Sequence, residues 1–376
     1  MEFWNFTEYF IIILCVAFVC LKAYKPIEVD GNTSETILSL DTSNLIKAIC
    51  CIVIIMHHYA LRVNIPLLGT YFGSQSGNQA LMLFMLMSGF GVVKSELIHR
   101  STMKTFLKKR FLKLLIPFWI VNLLTIITYS LINPQKPFGV NLGEIRVWDY
   151  FWNFGTGHYV FLDYVMLFLG FKEVDGAYWF LEVILYSYIV FLITKSLFDL
   201  KKKKVYALSF YTILIALFGI FAYYQQLPAQ YYRNLWPLVL GFYLAIYENK
   251  LILKMNNVKA IILTILLTNI YFVLYTKVVH DLSLKTFVGI DIVLFVTFIL
   301  SYLLRKYAIL KTSLLSKVAI LSYLIYLWHI KFLNLEWYYM GGYYSVILVT
   351  ICSIVMAWLC NWIATCIYNR FLNING

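Results

Sequence analysis

Residues 44–62 read NLIKAICCIVIIMHHYALR, an apolar run with one cation near its start and two histidines near its end. It has the length of one crossing of a bilayer core about 30 Å thick. As a helix it sets Lys47 and His58 eleven positions apart, about 1100° of rotation, so the two share a face roughly 16 Å apart along the axis while His57 points elsewhere. Ionisable groups on one stripe of a membrane span are costly unless the stripe faces a protein interior or a wet cavity. The stripe is therefore a candidate site.

The surrounding chain has 376 residues, is 62% hydrophobic and only 13% charged, and has a mean hydropathy of +0.77, so it cannot be a water-soluble core inside a polar shell. We expect an all-α polytopic membrane protein. A net charge of +13 invites a nucleic-acid partner, but membrane proteins gather Lys and Arg in cytoplasmic loops, and that bias accounts for the excess. No nucleic-acid partner is expected. The seven cysteines, with Cys50 and Cys51 adjacent, show no paired zinc-type spacing and read as reduced packing residues, so no metal is expected either. Glu2 and Glu8 precede the first apolar run, which lacks a basic flank and a small-residue cleavage site, so a retained span is predicted there.

Segments of spanning length fall near 7–23, 43–63, 78–97, 112–132, 176–198, 204–224, 233–249, 257–277, 285–304, 316–337 and 343–367, about ten to eleven helices. Most of the 31 Lys and Arg cluster in alternate connections, from Lys94 to Lys113, Lys195 to Lys204, Lys250 to Lys259 and Arg305 to Lys317. Those connections are predicted cytoplasmic, with the N-terminus outside and the C-terminus inside a cytoplasmic (inner) membrane crossed many times. This divides the chain into an extra N-terminal span with its linker, 1–42, and a ten-helix domain, 43–376. The low ratio of Arg to Lys with abundant Ile, Asn and Tyr suggests an AT-rich bacterial genome. A long outer connection, 133–175, carries Trp148, Tyr150, Trp152, Phe154 and Tyr159 around His158. Part of it, near 145–172, is apolar but too short to span and is predicted to be interfacial or re-entrant.

With that topology the polar groups inside spans can be compared for depth. His58 falls in the outer half of its span, Glu182 about two turns into the fifth span, 176–198, which enters from outside, and Asp291 similarly deep in the ninth, 285–304. LSYLIYLWHI puts Ser322, Tyr326 and His329 on one face, His329 again in the outer half. Carboxylates and imidazoles at one level suit a general acid/base site, a proton relay or a satisfied polar core. At the opposite rim, FLKKRFLKLLIPFW places Lys108, Lys109, Arg110 and Lys113 just before Pro117, suited to phosphate groups or anionic lipid heads. With Lys47 on the His58 face, a phosphate-bearing donor can anchor at this rim while its reactive end reaches the histidine.

At these residues the sequence resembles the membrane acyltransferase-3 family, whose members acylate sugars and other hydroxylated acceptors, commonly from acetyl-CoA. The family has Arg, ten residues, then His on an early helix; here Lys47 and His58 fill that spacing with Lys in place of Arg. LFMLMSGF ending at Ser88 to Phe90, RFLKLLIP from Arg110 to Pro117, YWFLEVILYSY around Trp179 and Glu182, WPLVLGFYLA around Trp236, and LSYLIYLWH ending at His329 are similar in order and spacing. Lys113 stands where a second Arg is common. The resemblance covers roughly residues 40–370 and implies that His58 is the catalytic histidine. Both Arg positions filled by Lys carry a point charge without the planar fork that grips phosphate.

The expected activity is acyl transfer from acetyl-CoA, as donor substrate, to a carbohydrate or glycolipid hydroxyl. His58 acts as general base or brief acyl carrier, Glu182 or Asp291 orients an imidazole, and Tyr326 and His329 are candidates for the oxyanion donor. Lys47, Lys108, Lys109, Arg110, Lys113 and Ser88 are assigned to the donor, and Arg62, Trp179 and Trp236 to the acceptor, Arg62 being equally suited to mark the outer interface. The competing reading is a proton-coupled transporter or flippase of a glycan precursor, in which the same buried charges form a relay. A homo-oligomer is left open by the sequence.

Overall fold

The computed structural model describes residues 40–61, 77–132, 165, 168–170, 179–228, 230–233, 235–252, 313–333 and 343–373. They form α1 (Leu40–Ala60), α2 (Gly77–His99), α3 (Met103–Leu107), a π turn (Lys108–Leu112), α4 (Lys113–Ile132), α5 (Trp179–Leu197), α6 (Lys204–Tyr224), the short α7 (Gln230–Arg233), α8 (Leu235–Ile252), α9 (Ser313–Leu333) and α10 (Tyr343–Asn373), with no strand among the described residues. An apolar run in a bilayer must satisfy every backbone group internally, which leaves helix as the only unpaired solution. Stretches Ala80–His99, Trp179–Leu197, Lys204–Tyr224 and Val346–Arg370 are long and apolar enough to cross, and Ile46–Ala60 is a shorter apolar stretch. The protein is an all-α polytopic membrane protein. The helix expected at 204–224 coincides with α6; α1, α2, α4, α5, α8 and α9 begin and end within about four residues of expectation, and α10 begins at the expected 343 but runs on to Asn373 rather than 367. The spans expected at 7–23, 257–277 and 285–304 lie outside the described residues.

The chain divides into two compact units, 1–87 with 244–320, and 88–243 with 321–376. In the first, α1 is helical without interruption from Leu40 to Ala60, so the phase that puts Lys47 and His58 on one face is kept. Ala48, Cys50, Cys51, Ile54, Ile55 and Tyr59 are buried, Ile49 and Ile52 exposed, and Lys47, His57 and His58 half-buried. The His57 ring lies against Gly77, the first residue of α2, where a Cβ would overlap the imidazole.

In the second unit α5 is buried on nearly every side, as a central helix must be. By contrast α6 and α10 each show an apolar face to the outside, Ile213, Leu217 and Ile220 on one and Ile351, Val355, Trp358 and Trp362 on the other. Faces of that extent belong against lipid. Without a hydrophobic drive between helices in a bilayer, close packing and buried polar contacts hold the unit. Gly89 of α2 provides one such contact, its Cα so near the Leu238 carbonyl of α8 that any side chain would overlap it.

One end of this unit is tied by charge. Lys195 near the end of α5 lies 3.0 Å from Glu96 of α2 and donates to the Ser101 carbonyl at 2.7 Å, both charged side chains being largely buried. Arg100 pairs with Asp199 at 3.0 Å in the exposed α5–α6 connection. Thr102 caps α3 through the Thr105 N–H. The cation-rich connections 94–113 and 195–204, expected on one face of the membrane, are thus physically joined.

Most of the predicted interfacial segment near 145–172 lies outside the described residues. Its described end runs back into the helices. Phe168 stacks on Trp119 of α4 with centroids 4.4 Å apart, and Trp119 Nε1 donates to the Phe168 carbonyl at 2.6 Å. Buried Gly170 turns with φ +82° against Leu115, Leu181 and Leu185, a backbone conformation that favours glycine.

Candidate active site

His58 lies in the last turn of α1, and its ring meets His57 edge to face at 5.2 Å between centroids. The His57 ring packs against Gly77 of α2, and His58 follows it in the last turn of the helix that carries Lys47.

In the second unit several expected residues come together. Glu182, in the first turn of α5, is 6% exposed and its Oε2 accepts a 3.0 Å hydrogen bond from the hydroxyl of Tyr231 on α7. Trp179, one turn earlier, lies 6.1 Å from the Tyr231 ring. Phe180 packs edge-on to Tyr326 of α9 at 4.6 Å, and Tyr326 is 5.3 Å from the His329 ring. Two sets of contacts result, Glu182 and Trp179 with Tyr231 at the start of α5, and Phe180 of α5 with Tyr326, itself beside His329, on α9.

The His329 ring has a set orientation. Nδ1 lies 2.6 Å from the Tyr326 carbonyl, an oxygen that only accepts, so Nδ1 carries the proton and a neutral ring presents Nε2 as a base. Such a ring donates from Nε2 only as the imidazolium, which bears on the expected role of His329 as an oxyanion donor. The expected single polar face of α9 is only part of its setting: Ser322, Tyr326 and His329 are buried, but so are Leu324, Ile325, Leu327, Trp328, Ile330 and Lys331, so burial does not single out that face.

Of the four expected phosphate-binding cations Lys108, Lys109 and Arg110 lie in the π turn and Lys113 begins the helix after it. A π turn, bonded i to i+5, takes an extra residue per turn and so rotates the residues after it relative to a regular α-helix. Arg110 points inward, half-buried, donating to the Gly91 carbonyl at 3.3 Å and bonding the Tyr188 hydroxyl. Lys109 and Lys113 are exposed, Lys108 half-buried. Ser88 borders a cavity of about 10 Å³ with Val92, Ser187, Tyr188, Tyr211 and Phe242 among its walls, and Ser187 Oγ lies 2.6 Å from Tyr211 Oη. A space of that size admits about one water. Trp236 opens α8 half-buried. Arg62 and Asp291 lie outside the described residues.

Sequence reasoning missed Tyr231, Lys331, Glu248 and Asn122. Tyr231 lies in a connection and gave no signal beyond being aromatic. Lys331, 4% exposed, and Glu248, 1% exposed, are charges inside apolar runs, which is itself the signal. Asn122, 3% exposed in α4, has an amide with no hydrogen-bond partner among the described residues. Among the described residues no group of three or more His, Cys, Asp or Glu could hold a metal ion, and Cys50, Cys51, Cys352, Cys360 and Cys366 are not joined in disulfides.

Residues 40–366 match a family profile described as an acyltransferase domain. No curated protein and no solved structure matches the chain.

Proposed function

Because this chain belongs to the acyltransferase-3 family, we propose that it moves an acetyl group from acetyl-CoA to a hydroxyl of a cell-surface carbohydrate or glycolipid. It is a membrane acyltransferase; the choice of donor and acceptor rests on Lys47 and His58, one cation and one imidazole on the same face of an uninterrupted α1. The cations anchor donor phosphates on the cytoplasmic side, and the N-terminus lies outside a cytoplasmic (inner) membrane.

His58 removes the proton of the acceptor hydroxyl as its oxygen attacks the thioester carbonyl. The tetrahedral intermediate collapses with breakage of the C–S bond, and the imidazolium returns its proton to the leaving thiolate. Attack by His58 itself, with the acyl group passed on in a second step, uses the same residue. Glu182 or Asp291 orients an imidazole, and Tyr326 or a protonated His329 stabilises the oxyanion. Lys47, Lys108, Lys109, Arg110, Lys113 and Ser88 serve the donor, while Arg62, Trp179 and Trp236 serve the acceptor.

The test is acetyl-CoA binding and thioester turnover by purified protein in detergent, wild type beside His58→Ala and Lys47→Ala. Weaker saturable binding in the lysine variant and lost turnover with retained binding in the histidine variant are expected. A folded wild type that binds no acetyl-CoA overturns the proposal and returns the buried charges to a transport relay.

A further inference from the structure

We infer that Tyr231 is a positioning residue that holds the Glu182 carboxylate in the orientation needed for acyl transfer. The inference rests on the role proposed above for Glu182 and goes beyond it to a residue in a connection between two spans.

Tyr231 is 1% exposed, and its hydroxyl bonds Glu182 Oε2 at 3.0 Å. The connection that carries it is folded back onto the bundle. Gln226 has φ +55°, the Leu227 N–H bonds the Ala222 carbonyl at 3.0 Å, buried Leu227 inserts behind α6, and the Tyr231 N–H bonds the Pro228 carbonyl at 2.9 Å. These bonds set where α7 lies, and so where the phenol points. Ring packing against Trp179 would be served equally by phenylalanine. The hydroxyl is what needs an acceptor when buried, as a buried carboxylate needs donors. A carboxylate fixed through one oxygen has its plane set before substrate arrives, which is how an outer partner raises the competence of a group it touches. The competing account is that Glu182 merely complements the N-terminus of α5. That account requires no coupling between the two residues in the rate.

The experiment is a double-variant cycle on the full-length protein in detergent, with acetyl-CoA as donor and octyl glucoside as the hydroxyl-bearing probe. It compares wild type, Tyr231→Phe, Glu182→Gln and the double variant, with unfolding temperatures alongside. Tyr231→Phe should lower kcat about tenfold, the loss of one hydrogen bond to a charged group, with KM for acetyl-CoA changed less than about twofold. Its unfolding temperature should fall, but by less than that of Tyr231→Leu, because the ring is retained. The double variant should be no slower than Glu182→Gln alone. Tyr231→Leu, which also loses the ring, should lower the unfolding temperature and so marks what a structural defect looks like. Additive losses, or full kcat in Tyr231→Phe with Glu182→Gln impaired, overturn the inference alone. No turnover by wild type, or an unimpaired Glu182→Gln, overturns the functional reading beneath it and the inference with it.

Discussion

The crossing of α2 over α8 is open to a direct test by Gly89→Ala. A Cβ at this position overlaps the Leu238 carbonyl oxygen and stands 3.0 Å from the carbonyl carbon and 3.2 Å from the Cα of the same residue. Carbon atoms settle at about 3.5–4.0 Å, so the two helices must part by roughly 0.5–1 Å. The obstacle is backbone, which has no alternative rotamer with which to yield. Overpacking of this kind costs about 1–3 kcal/mol, offset by the propensity gain of alanine over glycine, about 1 kcal/mol. Gly91 is the control on the same helix. Among the described residues nothing lies within 4 Å of its Cβ position, so Gly91→Ala keeps the propensity gain without the overlap. In thermal unfolding at one scan rate in one detergent, Gly91→Ala should sit at or above wild type and Gly89→Ala below it. The two should differ by about 2 kcal/mol, which in a chain of this size is a few degrees. Equal unfolding temperatures for the two variants would refute the close crossing.

Arg110→Ala removes the bonds to the Gly91 carbonyl and the Tyr188 hydroxyl and should destabilise by about 1–3 kcal/mol. Lys109→Ala and Lys113→Ala, altering exposed side chains, should stay within about 0.5 kcal/mol of wild type and instead raise KM for acetyl-CoA; equal stability of all three would contradict the inward course of Arg110. Lys195→Ala strips the largely buried Glu96 of its cation and should cost about 2–3 kcal/mol, whereas Arg100→Ala breaks an exposed pair and should leave the unfolding temperature little changed. The backbone N–H of Lys201, with that of Lys202 and the Arg100 guanidinium, holds the Asp199 carboxyl below the ordinary carboxylate range. A lowered folded-state pKa contributes stability above about pH 4 and loses it as pH falls through the folded value. Asp199→Asn should therefore differ slightly from wild type at neutral pH and converge on it in acid. A difference that grows on acidification would reverse that sign.

Part of the candidate site is legible in the amino-acid pattern. Glu182, Tyr326 and His329 stand out as polar groups in apolar spans; Tyr326 and His329 lie side by side, and Tyr326 packs on Phe180, two residues from Glu182 in α5. The tyrosine that bonds Glu182 does not stand out, because a loop residue carries no periodicity that tells where its side chain ends. Cation spacing before Pro117 marks a basic cluster but not its division, since the widened π turn breaks the 3.6-residue phase from which facing residues are read.

What the sequence by itself determined is the existence and the approximate ends of the described helices. Both follow from a local demand, that about twenty consecutive residues entering hydrocarbon be apolar and bond their own backbone. Tertiary structure alone decided partners: Tyr231 on Glu182, Arg110 on Gly91 and Tyr188, the Leu238 carbonyl on Gly89. Those depend on how each helix is rotated about its axis and how its connections fold back. In a bilayer such rotation is set by close packing and polar contacts between helices far apart in sequence.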